Sequence, residues 1–226
     1  MSDIKLVVIG DSLAMHDIDN NIPTNKTYPY LIKSNFSAID LIVRNRRANT
    51  SLQQSRKQHI YDDIDAFNPD IFLFHLGIVD CSPRVIGRYE KFVLSVMPEF
   101  VTIPIKKFIS KNRYFLTKVL KRVYVSESSF YKNIKLLLEH MINKNSNIIV
   151  IGINASSDLS MKSYNIKENI REYNLILEKL CKKLGCHFLE NNYEKEYFLP
   201  DGIHLNLDGH KKLSDDLSRI LRSMMN

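Results

Sequence analysis

The stretch Ile4-Lys5-Leu6-Val7-Val8-Ile9-Gly10-Asp11-Ser12-Leu13 decides the fold. Its apolar run has the length of a strand and falls far short of a membrane span. The run does not alternate with polar residues, which is the pattern of a strand covered on both faces. It stops at Gly10-Asp11, two residues that favour a turn, and the turn delivers a serine. Working outward, similar runs recur at 39–43, 71–76, 147–153 and 186–189. Between them, residues 51–67, 84–96, 126–143 and 166–184 read as helices. Leu213, Leu217, Ile220, Leu221 and Met224 form one apolar face of a last helix, with Asp208 its candidate N-cap. Strands alternating with helices predict an α/β sandwich around a five-stranded parallel, doubly wound sheet. In such a sheet, ligands bind outside the carboxyl ends of the strands, near the switch in strand order.

That rule predicts that each chemically suggestive segment follows a strand. Gly10-Asp11-Ser12 follows the first, Arg47-Ala48-Asn49-Thr50 the second, and His75-Leu76-Gly77-Ile78-Val79-Asp80 the third. Asp201 and His204 lie in the long loop after the fifth. Ser12, His204 and Asp201 together supply a hydroxyl, an imidazole and a carboxylate. A serine hydroxyl is a poor nucleophile at neutral pH unless a base takes its proton and an acid orients that base. An aspartate three residues before a histidine in a tight turn can reach one ring nitrogen while the other faces the serine. The Gly-x-Ser-x-Gly spacing of the α/β-hydrolase elbow is missing, so that fold is not implied.

With these blocks the sequence resembles the SGNH or GDSL hydrolases over nearly its whole length. Gly10-Asp11-Ser12-Leu13 matches the family's nucleophile motif, and Asp201-Gly202-Ile203-His204 matches its terminal Asp-x-x-His motif. The resemblance implies a three-layer α/β/α sandwich on a flavodoxin-like, five-stranded parallel sheet. It also implies Ser12 as nucleophile, His204 as general base and acid, Asp201 as the orienting carboxylate, and no metal or organic cofactor. The middle blocks depart from the pattern. Ala48 stands where the family has an oxyanion-binding glycine, and it keeps the backbone N–H that would act beside that of Ser12. Gly77-Ile78-Val79-Asp80 stands where the family has Gly-x-Asn-Asp, and valine cannot donate. Loss of one such donor costs about 2.7–4 kcal/mol of transition-state stabilisation. The side chains of Asn49 and Asn154 are candidate replacements, the Arg84 guanidinium could also turn toward the pocket, and the replacement donor stays open. Arg84, in Asp80-Cys81-Ser82-Pro83-Arg84, is a candidate substrate contact, as are Val79, Asp80 and Asn154. The string from Gly77 to Arg84 resembles a subgroup associated with bacterial polysaccharide biosynthesis, which implies a sugar ester or acyl sugar as substrate. Three functions follow from the resemblance: a serine esterase or deacylase acting on a carbohydrate ester, a sugar O-acetyltransferase sharing its acyl-enzyme, and a non-catalytic glycan-binding protein.

Composition bounds the rest. The 226 residues, 44% hydrophobic and 25% charged, predict one domain over 1–226 with one sizeable core. Cys81, Cys181 and Cys186 form no disulfide framework. The start, Met1-Ser2-Asp3-Ile4-Lys5, has neither a basic nor a long apolar segment, so the cytoplasm is the expected location. A net charge of +7 favours an acidic partner, but the base-stacking and groove-reading signatures of nucleic-acid modules are missing. Asp11 and Asp80 read as turn carboxylates. His16, His59, His75, His140, His187 and His210 show no metal-ligand spacing; His75 falls within a strand and His16 close to the serine.

A basic insertion at about 96–135 carries Lys106, Lys107, Lys111, Arg113, Lys118, Lys121, Arg122, Lys132 and Lys135, interleaved with apolar residues. Its simplest reading is a set of helices with the apolar side packed on the domain and the charges solvated. The functional readings are a lid, a patch for an anionic glycan or nucleotide-linked donor, and a surface that touches a membrane.

Overall fold

The computed structural model describes residues 4–225, without the side chain of Arg88. Strands β1 Ile4–Gly10, β2 Ile39–Val43, β3 Ile71–His75, β4 Asn147–Ile151 and β5 His187–Leu189 form one all-parallel sheet in the order β2-β1-β3-β4-β5. Successive strand side chains point to opposite faces, and both faces here are covered. Val7, Ile9, Phe72, Phe74, Ile148 and Val150 enter one core, while Leu6, Val8, Ile71, Leu73, Ile149 and Ile151 enter the other. This is why the central stretches of the strands are apolar on both faces, with polar residues such as Lys5, Asp40, Asn147 and His187 near their ends. The strand order reverses between β1 and β3, where Gly10 pairs with His75. That edge is where a doubly wound sheet leaves a crevice.

The helices in chain order are α1 Tyr28–Asn35, α2 Ser51–Gln54, α3 Lys57–Ile60, α4 Ile78–Cys81, α5 Arg88–Val96, α6 Glu99–Lys111, α7 Arg113–Leu120, α8 Glu127–Ile142, α9 Leu159–Lys162, α10 Ile166–Leu184 and α11 Leu207–Met225. α8 and α10 supply Phe130, Leu137, Tyr173 and Leu177 to the first core. α1 and α11 supply Tyr28, Ile32, Leu213 and Leu217 to the second. The three-layer sandwich expected from the sequence is thus the observed architecture. The three cysteines are free thiols, and among the described residues no helix is long and apolar enough to cross a membrane.

Several expected elements differ in detail. The helix expected over 51–67 breaks at Arg56, which is extended, and resumes as α3 followed by a widened turn at Tyr61–Asp65. The break lets Gln54 and Arg46 both reach the buried Asp63 carboxylate, at 3.3 and 2.7 Å. The helix expected over 84–96 begins only at Arg88, because Arg84 is drawn into a backbone bridge with Arg122. Asn206, not Asp208, caps α11: its side-chain oxygen accepts the Gly209 N–H at 2.9 Å. Within the expected 96–135 insertion, Lys132 and Lys135 lie on α8 and belong to the sandwich. The remainder forms α6 and α7, which follow directly on α5.

Candidate active site

The turn that presents Ser12 is built from burial and one cap. Gly10 ends β1 where a Cβ would lie 2.8 Å from the Asn45 side-chain oxygen, so any larger residue would have to push the Asn45 side chain aside. Asp11, 0% exposed, accepts the Leu13 N–H at 2.9 Å and so caps the short turn Ser12–Ala14. Leu13 and Ala14 are buried, which leaves Ser12 as the half-buried residue of the turn.

His204 arrives from the other end of the chain. The His204 carbonyl accepts the Leu199 N–H at 2.7 Å, and Gly202 turns the segment at φ +77°, a conformation that glycine adopts without strain. Asp201 then organises the loop: one carboxylate oxygen accepts the N–H groups of Ile203 and His204 at 2.8 and 3.0 Å, and the other meets His204 Nδ1 at 2.5 Å. A carboxylate on Nδ1 places the ring proton there and leaves Nε2 free to accept. Nε2 lies 2.9 Å from Ser12 Oγ, across 192 residues of sequence.

The charges around the imidazole agree with this geometry. The hydrogen bond that His204 Nδ1–H donates to Asp201 holds the His204 pKa above its ordinary value against burial, which acts to lower it. Burial acts to raise the Asp201 carboxyl, but its bonds to the ring and to the two amides outweigh that and hold it below the usual carboxylate range. Asp11 behaves in the opposite way. Burial pushes it up to about 7 despite the Leu13 N–H and the His204 charge, and its second oxygen has no hydrogen-bond partner among the described residues.

The loop after β2 leans on the same turn. Arg46 N–H and the Asn49 side-chain amide both donate to the Gly10 carbonyl, at 3.2 and 3.4 Å, with Ala48 between them. Ala48 is held at φ +56°, in the left-handed region. Among the described residues, neither the Ser12 nor the Ala48 backbone N–H meets an acceptor.

Other candidates are placed differently. Asn49 is buried and commits its amide to Gly10 and to Gln54 Oε1 at 3.1 Å, which removes it as a free donor. Asn154 turns its amide to the Tyr193 carbonyl at 3.1 Å and lines a separate cavity beside Asn174 and Asn192. Val79, 7% exposed, packs into the first core. Asp80 is buried and accepts the Ser51 N–H and hydroxyl at 3.0 and 2.7 Å, tying α4 to α2. It is therefore a buried structural link between the two helices. Arg84 stacks over Tyr124 at 4.4 Å and lines a cavity whose walls include neither Ser12 nor His204. His16 lines a small cavity with Thr27 and Asn45.

Sequence reasoning missed the polar cluster behind the nucleophile turn. Tyr28 OH meets His75 Nδ1 at 3.1 Å, and the Tyr28 N–H donates to His210 Nδ1 at 3.3 Å. Burial drives the pKa of His75 down to about 3 and that of His210 to about 4, so both rings are neutral and serve as packing groups. The single available signal was a histidine inside an otherwise apolar strand.

On the far side, α7 is linked to the His204 loop indirectly, by way of the segments flanking α9. Thr117 Oγ1 accepts the Tyr164 N–H at 3.0 Å just after α9, and the Ser156 N–H just before α9 donates to the Gly202 carbonyl at 2.8 Å.

Solved structures with this architecture include a lipase/acylhydrolase from Enterococcus faecalis (14% identity, TM-score 0.67, covering 98% of this chain and 96% of that one). An alpha/beta hydrolase enzyme from the metagenome of Lake Arreo matches at 18% identity and TM-score 0.64, over 96% and 94% of the two chains. A catalytic mutant of an acetylxylan esterase from Geobacillus stearothermophilus matches at 14% identity and TM-score 0.64, over 96% and 94%. At these identities the likeness is one of fold. No curated protein matches the sequence. The model of the GDSL-like Lipase/Acylhydrolase family does match, over residues 8–212, a span that holds the Ser12 turn, the Ala48 loop and the His204 loop. The chain therefore belongs to the GDSL-like lipase/acylhydrolase family and is, by class, an ester hydrolase.

Proposed function

We propose that the protein deacylates an acylated carbohydrate through a covalent acyl-enzyme on Ser12. The observation that carries the reading is the pair of contacts on one imidazole, Ser12 Oγ to Nε2 at 2.9 Å and Asp201 to Nδ1 at 2.5 Å. Ser12 Oγ attacks the acyl carbonyl carbon as its proton passes to Nε2, and Asp201 stabilises the imidazolium that forms. The Ser12 and Ala48 N–H groups receive the developing oxyanion. The tetrahedral intermediate collapses as His204 returns the proton to the departing sugar oxygen. Water, deprotonated by the same ring, then releases the acid and restores Ser12. The family's third oxyanion donor has no counterpart at Val79, which is packed in the core, so two backbone donors carry the charge. The carbohydrate assignment rests on the resemblance of the Gly77 to Arg84 string and on the acetylxylan esterase among similar folds.

A fluorophosphonate probe should label the protein at Ser12 alone, and the adduct should disappear in Ser12→Ala and in His204→Ala. Ser12→Ala should lower turnover of a small acetate ester by roughly ten-thousand-fold or more with an unchanged melting temperature. A parent protein that takes no label would instead be a non-catalytic glycan binder. Incubation with an acetylated oligosaccharide should release free acetate. Acetyl passing to a second sugar in preference to water would identify an O-acetyltransferase.

A further inference from the structure

We infer that helices α5–α7 form a docking surface for an anionic lipid membrane, an inference that goes beyond the esterase reading and does not depend on it. Charge gives the first reason. Residues 88–122 hold nine lysines and arginines against two glutamates, a surplus equal to the whole chain's net charge of +7; the remaining residues carry twenty-three of each sign. Among the described side chains of this segment, Arg122 alone reaches a carboxylate, that of Glu90 at 2.7 Å.

Burial gives the second. Of the eighteen large hydrophobic side chains that are exposed among the described residues, ten lie between Tyr89 and Val119, with Phe100 at 79%. A helix that packs only on its own domain hides apolar side chains and shows polar ones. Here the side chains buried by α6 and α7 are Thr102 and Thr117, whose hydroxyls are turned back onto the helix carbonyls. The expectation that the segment's apolar side packs on the domain therefore fails for its largest side chains. Phe92, Phe100, Phe108 and Phe115 stand in solvent among lysines.

A third observation concerns an open cavity of about 430 Å³ bordered by these helices and by the segments on either side of them. Its charged lining is Arg84, Lys91, Lys106 and Arg113, with no carboxylate, and Arg84 Nε is buried without a partner among the described residues. Four cations sharing a cavity with the apolar side chains of Leu94 and Ile109 suit a lipid phosphate and the start of its acyl chains. The composition favours lipid over a protein partner. Six of the nine cations are lysine, which protein interfaces deplete, whereas lysine stems and aromatic rings interleave readily at the headgroup level.

The full chain should float with phosphatidylcholine vesicles containing phosphatidylglycerol, stay behind with phosphatidylcholine alone, and be released by high salt. Each cation at an anionic surface is worth about fivefold in affinity, so Lys106→Glu combined with Lys107→Glu should weaken binding by more than tenfold. Phe100→Ser combined with Phe108→Ser keeps every charge and should also weaken it at least tenfold. Circular dichroism checks that each pair is folded, and Phe100→Ser alone serves if a pair is not. Hydrolysis of a soluble ester by these variants should match the parent, whatever the fate of the Ser12 assignment. Failure of the parent to bind phosphatidylglycerol vesicles would overturn the inference. So would phenylalanine variants that bind like the parent while heparin competes fully, since that pattern belongs to a soluble polyanion.

Discussion

The two segments that bring Ser12 and His204 together each carry an aspartate, and they use it in opposite ways. In the nucleophile turn, Asp11 is fully buried against the sheet, and burial lifts its pKa to about 7. In the terminal loop, Asp201 is 47% exposed at its side chain, saturated with donors, and held below the usual carboxylate range. Both bear on the same imidazole, Asp201 through a direct hydrogen bond and Asp11 through space, and each acts to raise the His204 pKa. The contrast teaches that environment, and not residue type, divides the work between two carboxylates. A solvated, hydrogen-bonded carboxylate stays ionised and orients the base. A dry one caps a turn and gives up its proton only around neutral pH, at about 7.

The largest expected effect breaks this contrast on the exposed side. Asp201→Asn keeps an oxygen for the Ile203 and His204 amides, so stability should stay within about 0.5 kcal/mol of the parent. Turnover should fall by roughly a hundred- to ten-thousand-fold, because the ring loses the partner that fixes its proton on Nδ1. His204 must be neutral to accept the serine proton, and Asp201 raises its pKa. The parent's kcat/KM should therefore climb with pH through a value above that of an ordinary histidine. In Asp201→Asn the rise should move to lower pH. Parent-like turnover with an unmoved profile would show that Asp11, and not Asp201, supplies the charge that matters.

The second effect tests the buried side and is read in stability. Below about pH 4 Asp11 is protonated both folded and unfolded, so it contributes no pH dependence there. As pH rises from the ordinary carboxylate value of 3.8 to about 7, the unfolded chain gives up this proton and the native protein keeps it. Stability therefore falls across that window and levels off above it. Asp11→Asn retains the acceptor for the Leu13 N–H and cannot ionise. It should match the parent near pH 4 and exceed it by about 2–4 kcal/mol at pH 8, with turnover within tenfold. Chemical denaturation at the two pH values makes the measurement. An equal difference at both would mean that Asp11 titrates like a surface carboxylate.

How much of this was legible beforehand depends on which interactions are local. The strands were readable because helices on both faces force their central stretches to be apolar on consecutive residues, as in Leu6-Val7-Val8-Ile9. The Asp201-x-x-His204 geometry was readable because it is made within four residues. Asp11 was read as an ordinary turn carboxylate, and a turn aspartate looks the same in sequence whether water or a sheet lies behind it. Asn49 was taken for a free donor because its commitment to Gly10 and Gln54 depends on how the 44–50 loop folds back on β1. α1 escaped notice because Pro29 sits in its first turn and only Tyr28, Pro29 and Ile32 are buried. α6 and α7 were read as helices but with their apolar side turned to the domain, because the sequence alone does not show that Phe100, Phe108 and Phe115 face outward.

The smallest expected effect lies in the loop that leans on the nucleophile turn. Ala48 occupies the left-handed region at φ +56°, where a Cβ meets the carbonyl and costs about 1–2 kcal/mol. Glycine removes that strain but loses about 0.5–1 kcal/mol to the greater freedom of its unfolded chain. Ala48→Gly should therefore gain up to about 1 kcal/mol, or roughly 2–4 °C in melting temperature for a chain of this size. Its N–H stays in place, so turnover of a small ester should remain within about twofold, since no oxyanion donor is lost. A tenfold loss would mean that the methyl group itself shapes the site. In that case the alanine at this position would define the pocket as well as fill the place of a donor, and the division of labour between the buried turn and the exposed loop would need a third member.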